Sequence, residues 1–213
     1  MDSPKDKPTG EVSTPEDTQK DMDKSAKVDA SKFYEIMKAL TAMKLTKQDN
    51  QPGAVFPDLL IGSIGAAFNL KALKENGVTH ILTCAANIKP RFEEEMKYKV
   101  LNCLDSPNQD VLGFMDEANE FISEALKDNV EGEPPKHKVL VHCFAGKSRA
   151  TAFTLGYMIK VKKIALKTAL DRIWEVRRIA APNPGFMIQL KALEANVLGE
   201  VSECDVVQGM WKD

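Results

Sequence analysis

The sequence predicts a single α/β domain in which a central, largely parallel, twisted sheet carries helices on both faces. Short apolar runs at 59–61, 78–85, 98–104 and 139–142 have strand character, and amphipathic helical patterns alternate with them. This rhythm is typical of parallel sheets, because a helix between two strands returns the chain to the same edge. The 213 residues are enough for one such domain with a tail at each end.

The N-terminal part has two predicted segments. Residues 1–29 contain many charged residues, Pro, Ser and Thr and no aromatic residue, so we expect a disordered tail. Residues 30–48 form a predicted basic amphipathic helix. Packing of that helix on the domain is our first interpretation. The alternative is a target helix for calmodulin, with Ile36, Leu40 and Leu45 as anchors.

The domain itself is predicted at 50–198. Asn69 is a candidate N-cap for a helix at 70–75, which ends at Gly77. A helical stripe follows, and 131–138 is a polar loop. The stripe consists of Val111, Phe114, Met115, Ala118, Phe121, Ile122 and Ala125.

Three helices complete the domain. Residues 150–159 are apolar nearly all round, which predicts a buried central helix. Asn183 and Pro184 are typical of the start of the last helix. Two core-facing sets follow helical spacing: Leu166, Leu170, Ile173 and Trp174, and then Phe186, Leu190, Leu193 and Val197. Residues 199–213 give a C-terminal tail without a clear signal.

The composition argues against several classes of protein. A net charge of −2 gives no basic surplus for nucleic acid, and no apolar run reaches the roughly 20 residues of a membrane span. The polar N-terminus lacks the pattern of a secretory signal. Four cysteines, at 84, 103, 143 and 204, lack CxxC spacing, which indicates a cytoplasmic or nuclear compartment rather than a disulfide framework or zinc site.

The sequence from His142 to Arg149 carries the chemistry. It reads as the end of a buried strand, a loop that opens with Cys143, and a helix that starts near Arg149. A thiolate needs positive surroundings, a helix N-terminus attracts an anion, and an arginine fork matches two phosphoryl oxygens. The pattern therefore predicts attack on a phosphate monoester. A nucleotide P-loop is excluded, because Val141 stands where its first glycine is required.

This stretch resembles the signature of cysteine-dependent protein tyrosine phosphatases, in the form His-Cys-x-Ala-Gly-x-Ser-Arg of the dual-specificity branch. The segments at 59–63, 181–186 and 189–190 resemble that branch too. The resemblance implies a phosphatase-like domain at about 50–198. It also implies dephosphorylation of phosphotyrosine, phosphoserine and phosphothreonine in proteins, with mitogen-activated protein kinases among the candidate substrates.

The resemblance also implies roles for individual residues. Cys143 would be the nucleophile, Asp105 the general acid, and Arg149 the main phosphate ligand, without metal or other cofactor. Asp110 is the alternative acid and has the pattern of a helix cap. The phosphate-binding loop would comprise Phe144, Ala145, Gly146, Lys147, Ser148 and Arg149.

Five further residues have implied supporting roles. His142 would order the loop, and Ser148 would hydrogen-bond loop backbone or the thiolate. Asn183 would brace the loop or only cap a helix. Arg178 would hold a second phosphate or only end a helix. Cys84 would be a resolving thiol or an inert buried one.

Two alternative functions remain open. Lys147 is typical of phosphoinositide phosphatases, although Phe144 stands where they usually carry a second lysine. A phosphoprotein-binding scaffold with little turnover is the other alternative.

Ala150 replaces the Ser or Thr that usually follows the signature arginine. Thr151, rotated by about 100° on a helix, is not expected to replace that hydroxyl.

Overall fold

The computed structural model describes residues 47–204 and five helical positions before them: 33, 36, 37, 40 and 44. It contains two compact units, Met1–Thr41 and Ala42–Asp213. The predicted disordered tail, the anchor Leu45 and residues 205–213 lie outside the described residues. In the first unit, Phe33, Ile36 and Leu40 are helical and expose 66, 57 and 54% of their surface.

The second unit contains a five-stranded sheet in the order β1-β2-β5-β3-β4. β1 pairs with β2 in antiparallel fashion, and the other three pairings are parallel, so the predicted largely parallel sheet is confirmed. The strands are β1 (Gly53–Phe56), β2 (Leu59–Gly62), β3 (His80–Thr83), β4 (Lys97–Val100) and β5 (Val139–His142).

Helices cover both faces of the sheet, as predicted. Two short helices, α1 (Ile64–Ala67) and α2 (Leu70–Glu75), share a small core with Leu60, Ile81 and Leu140. The alternate strand residues face the main core on the other side. A 3₁₀ turn and four helices build that core: Leu112–Phe114, α3 (Met115–Leu126), α4 (Arg149–Lys160), α5 (Leu166–Val176) and α6 (Pro184–Leu198).

Helix α4 is the buried central helix that the sequence predicts, because every residue from 150 to 159 is buried. Gly156 permits its close approach to α3, since a Cβ there would lie 2.1 Å from the Met115 sulfur. The buried Glu194 of α6 accepts from the Leu166 backbone N–H at 2.6 Å and thereby caps α5. No helix among the described residues is long and apolar enough to cross a membrane.

Caps were easier to predict than strand limits. Asn69 and Asn183 accept backbone N–H groups at the first turns of α2 and α6, as expected. The runs at 78–85 and 98–104 are too long as strands, because hydrogen-bonded pairing covers only His80–Thr83 and Lys97–Val100. Strand β1 and helix α1 were missed, since glycine and alanine make up half or more of each and give no clear apolar pattern.

Candidate active site

The site lies where the parallel strands end. β5 ends at His142, Cys143 opens the following loop, and α4 begins at Arg149. His142 is in register with Thr83 of the neighbouring β3, and the Cys84 N–H donates to the His142 carbonyl at 2.7 Å. The prediction that Cys143 lies at a carboxyl end of the sheet is confirmed.

The loop turns four consecutive carbonyls outward, and donors outside the loop hold each of them. In a trans peptide the N–H points away from the C=O, so the N–H groups of the residues that follow face the loop interior. An interior lined by N–H groups beside a helix N-terminus attracts an anion. The bonds are Ile64 N to Phe144 O (3.0 Å), Arg177 Nη2 to Ala145 O (2.8 Å), Arg177 Nε to Gly146 O (2.6 Å) and Ala181 N to Lys147 O (2.7 Å).

Glycine is required in the middle of this loop. Gly146 has φ of +61°, and a Cβ there would lie 2.4 Å from the Gly62 carbonyl oxygen. A side chain would therefore meet both backbone strain and a steric clash.

Arg149 has an unsatisfied donor at the centre of the site. Its Nη1 donates to the Cys103 carbonyl at 3.2 Å, and its Nε lies 3.7 Å from Asp105 Oδ2. That Nε is buried and has no hydrogen-bond partner among the described residues. Leaving a buried charged donor unpaired is costly, so an oxyanion is its natural partner.

Asp105 is held beside the loop by residues distant in sequence. Its Oδ1 accepts from Ser148 Oγ at 2.6 Å and from Asn183 Nδ2 at 3.0 Å. Asn183 therefore braces the site and caps α6 at the same time. The expectation that Ser148 bonds loop backbone or the thiolate is wrong, because its hydroxyl donates to Asp105 and accepts from the Asn183 N–H at 3.1 Å.

Asp110, the alternative acid, has a different environment. Its Oδ1 accepts from the Gly113 N–H at 3.0 Å, and the residue is exposed. This contact matches the predicted cap and leaves Asp105 as the carboxylate beside Arg149.

His142 orders the loop as a neutral ring. Its Nδ1 lies 3.2 Å from the Cys143 carbonyl, which can only accept, so Nδ1 carries the proton. Its Nε2, 2.8 Å from Thr83 Oγ1, then accepts from that hydroxyl. Burial lowers the pKa of His142 to about 4, and Arg149 acts in the same direction. The ring therefore carries no charge near neutral pH.

Neighbouring arginines have different environments. Arg178, chosen from the sequence, is exposed, whereas Arg177 is 7% exposed and reaches two loop carbonyls. Arg177 was missed. Its position, four residues after Ile173, continues the buried stripe of α5 and was the available signal.

Three buried thiols lie at the ends of adjacent strands: Cys84, Cys103 and Cys143. All are free. Burial raises the pKa of Cys84 well above its ordinary value and that of Cys103 to about 11, and Cys143 adds to both effects. Cys103 beside the site was not predicted. Among the described side chains, no three His, Cys, Asp or Glu residues lie together so as to hold a metal ion.

Comparison with known proteins places this arrangement in a family. The model of the dual specificity phosphatase catalytic domain matches residues 59–196. The chain is 33% identical over 162 residues to dual specificity protein phosphatase 1 of Arabidopsis thaliana, covering 76% of this chain and 78% of that protein. It is 41% identical over 147 residues to dual specificity protein phosphatase 19 of Mus musculus, covering 68% and 63%.

A solved structure agrees with these sequence matches. The human tyrosine phosphatase-like serine/threonine/tyrosine-interacting protein superposes with a TM-score of 0.64 at 31% identity, covering 70% of this chain and 99% of that one. The chain therefore belongs to the dual-specificity phosphatase family and is a protein phosphatase.

Proposed function

We propose that this chain dephosphorylates proteins through a phosphocysteine on Cys143. The observation that carries the proposal is the loop after β5: its carbonyls at 144–147 face outward, and the buried Arg149 Nε has no hydrogen-bond partner among the described residues. Such a loop supplies N–H donors and one fork of positive charge around a phosphoryl group. Cys143, at the start of the loop, is the nucleophile in reach of that group.

In the first step, the Cys143 thiolate attacks phosphorus. A sulfur–phosphorus bond forms and the ester phosphorus–oxygen bond breaks. Arg149 and the loop N–H groups bind the non-bridging oxygens, and Asp105 gives its proton to the leaving alkoxide or phenoxide.

In the second step, water attacks phosphorus and the sulfur–phosphorus bond breaks. Asp105, now a carboxylate, accepts the proton of the attacking water. Inorganic phosphate leaves, and the Cys143 thiolate is restored.

Replacing the nucleophile tests the proposal. Cys143→Ser should abolish phosphate release from phosphotyrosine, phosphoserine and phosphothreonine peptides while preserving their binding, because a serine hydroxyl hardly ionises at neutral pH. Phosphoinositides and capped-RNA precursors belong in the same assay as alternative substrates. Activity above about a tenth of wild type in Cys143→Ser would contradict the role of the thiolate.

We propose doubly phosphorylated activation loops of mitogen-activated protein kinases as one substrate class. The support is Arg178, which is exposed three residues before Ala181, whose N–H donates to the Lys147 carbonyl of the loop. Arg178→Ala should lower the preference for doubly over singly phosphorylated peptides. An unchanged preference would remove this role.

Calmodulin binding by residues 30–48 is a separate proposal, supported by the exposure of Phe33, Ile36 and Leu40. A peptide of those residues should bind calcium-loaded calmodulin and lose binding when Ile36 and Leu40 are changed to Ala.

We further propose a cytoplasmic location, with the nucleus as a second compartment, on the basis of the free cysteines. Fluorescent tagging of the full chain tests the location.

A further inference from the structure

One buried side chain joins the phosphate loop to a carboxylate far away in the sequence. The guanidinium of Arg177 donates to the Ala145 and Gly146 carbonyls at 2.8 and 2.6 Å. Its Nη1 and Nη2 also donate to the two carboxylate oxygens of Asp49, at 3.3 and 2.6 Å. Arg177 therefore connects Asp49 to two of the loop's four outward carbonyls.

The burial of Arg177 makes the charge of Asp49 important. The side chains of Arg177 and Asp49 are 7 and 25% exposed. Carbonyl dipoles do not neutralise a buried cation, which needs an opposite charge nearby. Asp49 provides it in a two-bond, fork-like geometry that fixes the plane of the guanidinium.

Arg177 and the loop backbone also fix each other sterically. A Cβ on Gly146 would lie 2.7 Å from Arg177 Nε, so the two groups are in close contact. The carbonyls that Arg177 holds belong to the peptides whose N–H groups are those of Gly146 and Lys147. Any rotation of Arg177 therefore turns these two N–H groups relative to the loop interior.

Asp49 is itself anchored beside the loop. Its carbonyl accepts from Ser63 Oγ at 2.9 Å, and the Asn50 carbonyl accepts from Asn69 Nδ2 at 3.0 Å. Ser63 precedes Ile64, whose N–H holds the Phe144 carbonyl. Asp49 lies before the range 59–196 that matches the family, so the family match does not include this contact.

We propose that Asp49 is a positioning residue for phosphoryl transfer. Its carboxylate orients Arg177, and Arg177 aims the N–H groups of Gly146 and Lys147 at the phosphoryl group. The proposal rests on the proposed function of the loop. Asp49 does not touch the substrate, so its loss weakens phosphate binding and leaves the Cys143 nucleophile in place.

The test compares Asp49→Asn and Asp49→Glu with wild type in the full chain. The measured quantities are kcat and KM for an aryl phosphate and the inhibition constant of inorganic phosphate. Asp49→Asn should raise KM and the inhibition constant about tenfold, the effect of weakening hydrogen bonds to a charged group. Asp49→Glu keeps the charge and should restore most of the affinity.

Asn129→Ala is the matched control for lost stability. Asn129 holds the backbone of His137 through bonds of 3.0 and 2.8 Å, before the start of β5 and thus at the end of the sheet away from the loop. This variant should lower the melting temperature without changing the inhibition constant of phosphate. If Asp49→Asn does not fold, Arg177→Lys replaces it, because lysine keeps the charge but loses the fork.

An inhibition constant within about twofold of wild type in Asp49→Asn, or in Arg177→Lys when that variant replaces it, overturns the positioning role. An equal rise in Asn129→Ala at equal loss of melting temperature also overturns it. A wild type that neither binds phosphate nor turns over an aryl phosphate would instead refute the proposed function. The two failures are thus distinguishable.

Discussion

The phosphate loop at 143–149 and the segment at 177–183 build one site, but the sequence encodes them differently. The loop is contiguous, and Cys143, Gly146 and Arg149 directly follow one strand. The supporting segment reaches it through pairs 31–35 positions apart, and Arg177 reaches Asp49 across 128 positions. The chemistry of the loop is therefore local, whereas its shape depends on distant partners.

The largest expected effect tests whether Asp105, a partner of the loop that is distant in sequence, also donates a proton in the reaction. Asp105→Ala should slow aryl phosphates with poor leaving groups about 10²–10⁴-fold, because their leaving oxygen needs a proton. Substrates with good leaving groups should be affected far less. Steady-state rates over a series of phenols measure the difference.

Asp110→Ala is the control for this experiment, since Asp110 caps the nearby turn without contacting Arg149. Equal slowing of all substrates in Asp105→Ala would make Asp105 a structural turn residue only.

A smaller effect tests the local part of the loop. Ala150 follows Arg149, and the Thr151 hydroxyl donates to the Lys147 carbonyl at 2.8 Å, so it is committed elsewhere as expected. Family resemblance implies that a hydroxyl at position 150 assists departure of the thiolate. Without this hydrogen bond, hydrolysis of the phosphoenzyme should be about ten- to a hundredfold slower.

Pre-steady-state kinetics measure this step. Wild type should release a burst of product equal to the enzyme concentration from a fast-leaving aryl phosphate, and Ala150→Ser should turn over faster. Absence of a burst together with unchanged turnover in Ala150→Ser would exclude a slow second step.

Oxidation with peroxide distinguishes the roles of Cys84 and Cys103, which are distant from Cys143 in the sequence but lie near it in the fold. Hydrogen peroxide converts the Cys143 thiolate to a sulfenic acid, and attack by the Cys84 thiol then forms a disulfide and releases water. Because burial raises the pKa of Cys84, the disulfide should form faster at higher pH. Peptide mapping should find the Cys84–Cys143 link in wild type and in Cys103→Ser, but not in Cys84→Ser. Irreversible sulfonation of Cys143 without this link would refute the role of Cys84.

The parts of the site that the sequence predicts are those that depend on contacts between residues close in the sequence. Cys143 at a strand end, the buried helix α4 and the caps at Asn69 and Asn183 follow from short-range patterns. The Ser148–Asp105 bond and the choice of Arg177 over Arg178 depend on which segments meet in space. No spacing rule connects Asp49 to Arg177, so this pair required the fold.

The smallest effect concerns stability rather than rate. Burial lowers the pKa of His142 from 6.5 to about 4, so the unfolded chain binds a proton in this pH range that the folded chain does not. Stability contributed by the neutral ring is therefore complete above pH 6.5 and is lost as the pH falls towards 4, by on the order of 3 kcal/mol.

Urea unfolding between pH 4 and 7 measures this loss in wild type and in His142→Asn. His80, whose pKa burial also lowers, contributes equally to both proteins and cancels in the comparison. The stability of His142→Asn should depend less on pH than that of wild type. Parallel curves would show that His142 does not remain neutral in the fold.

We propose that phosphate passes through Cys143 in the loop after β5. Acid quenching of wild type during turnover of a phosphopeptide, followed by peptide mapping, tests it most directly. We expect one phosphoryl group on the peptide that contains Cys143, and none in Cys143→Ser. Phosphate on another residue, or product formation without any phosphorylated enzyme in a single-turnover reaction, would contradict it.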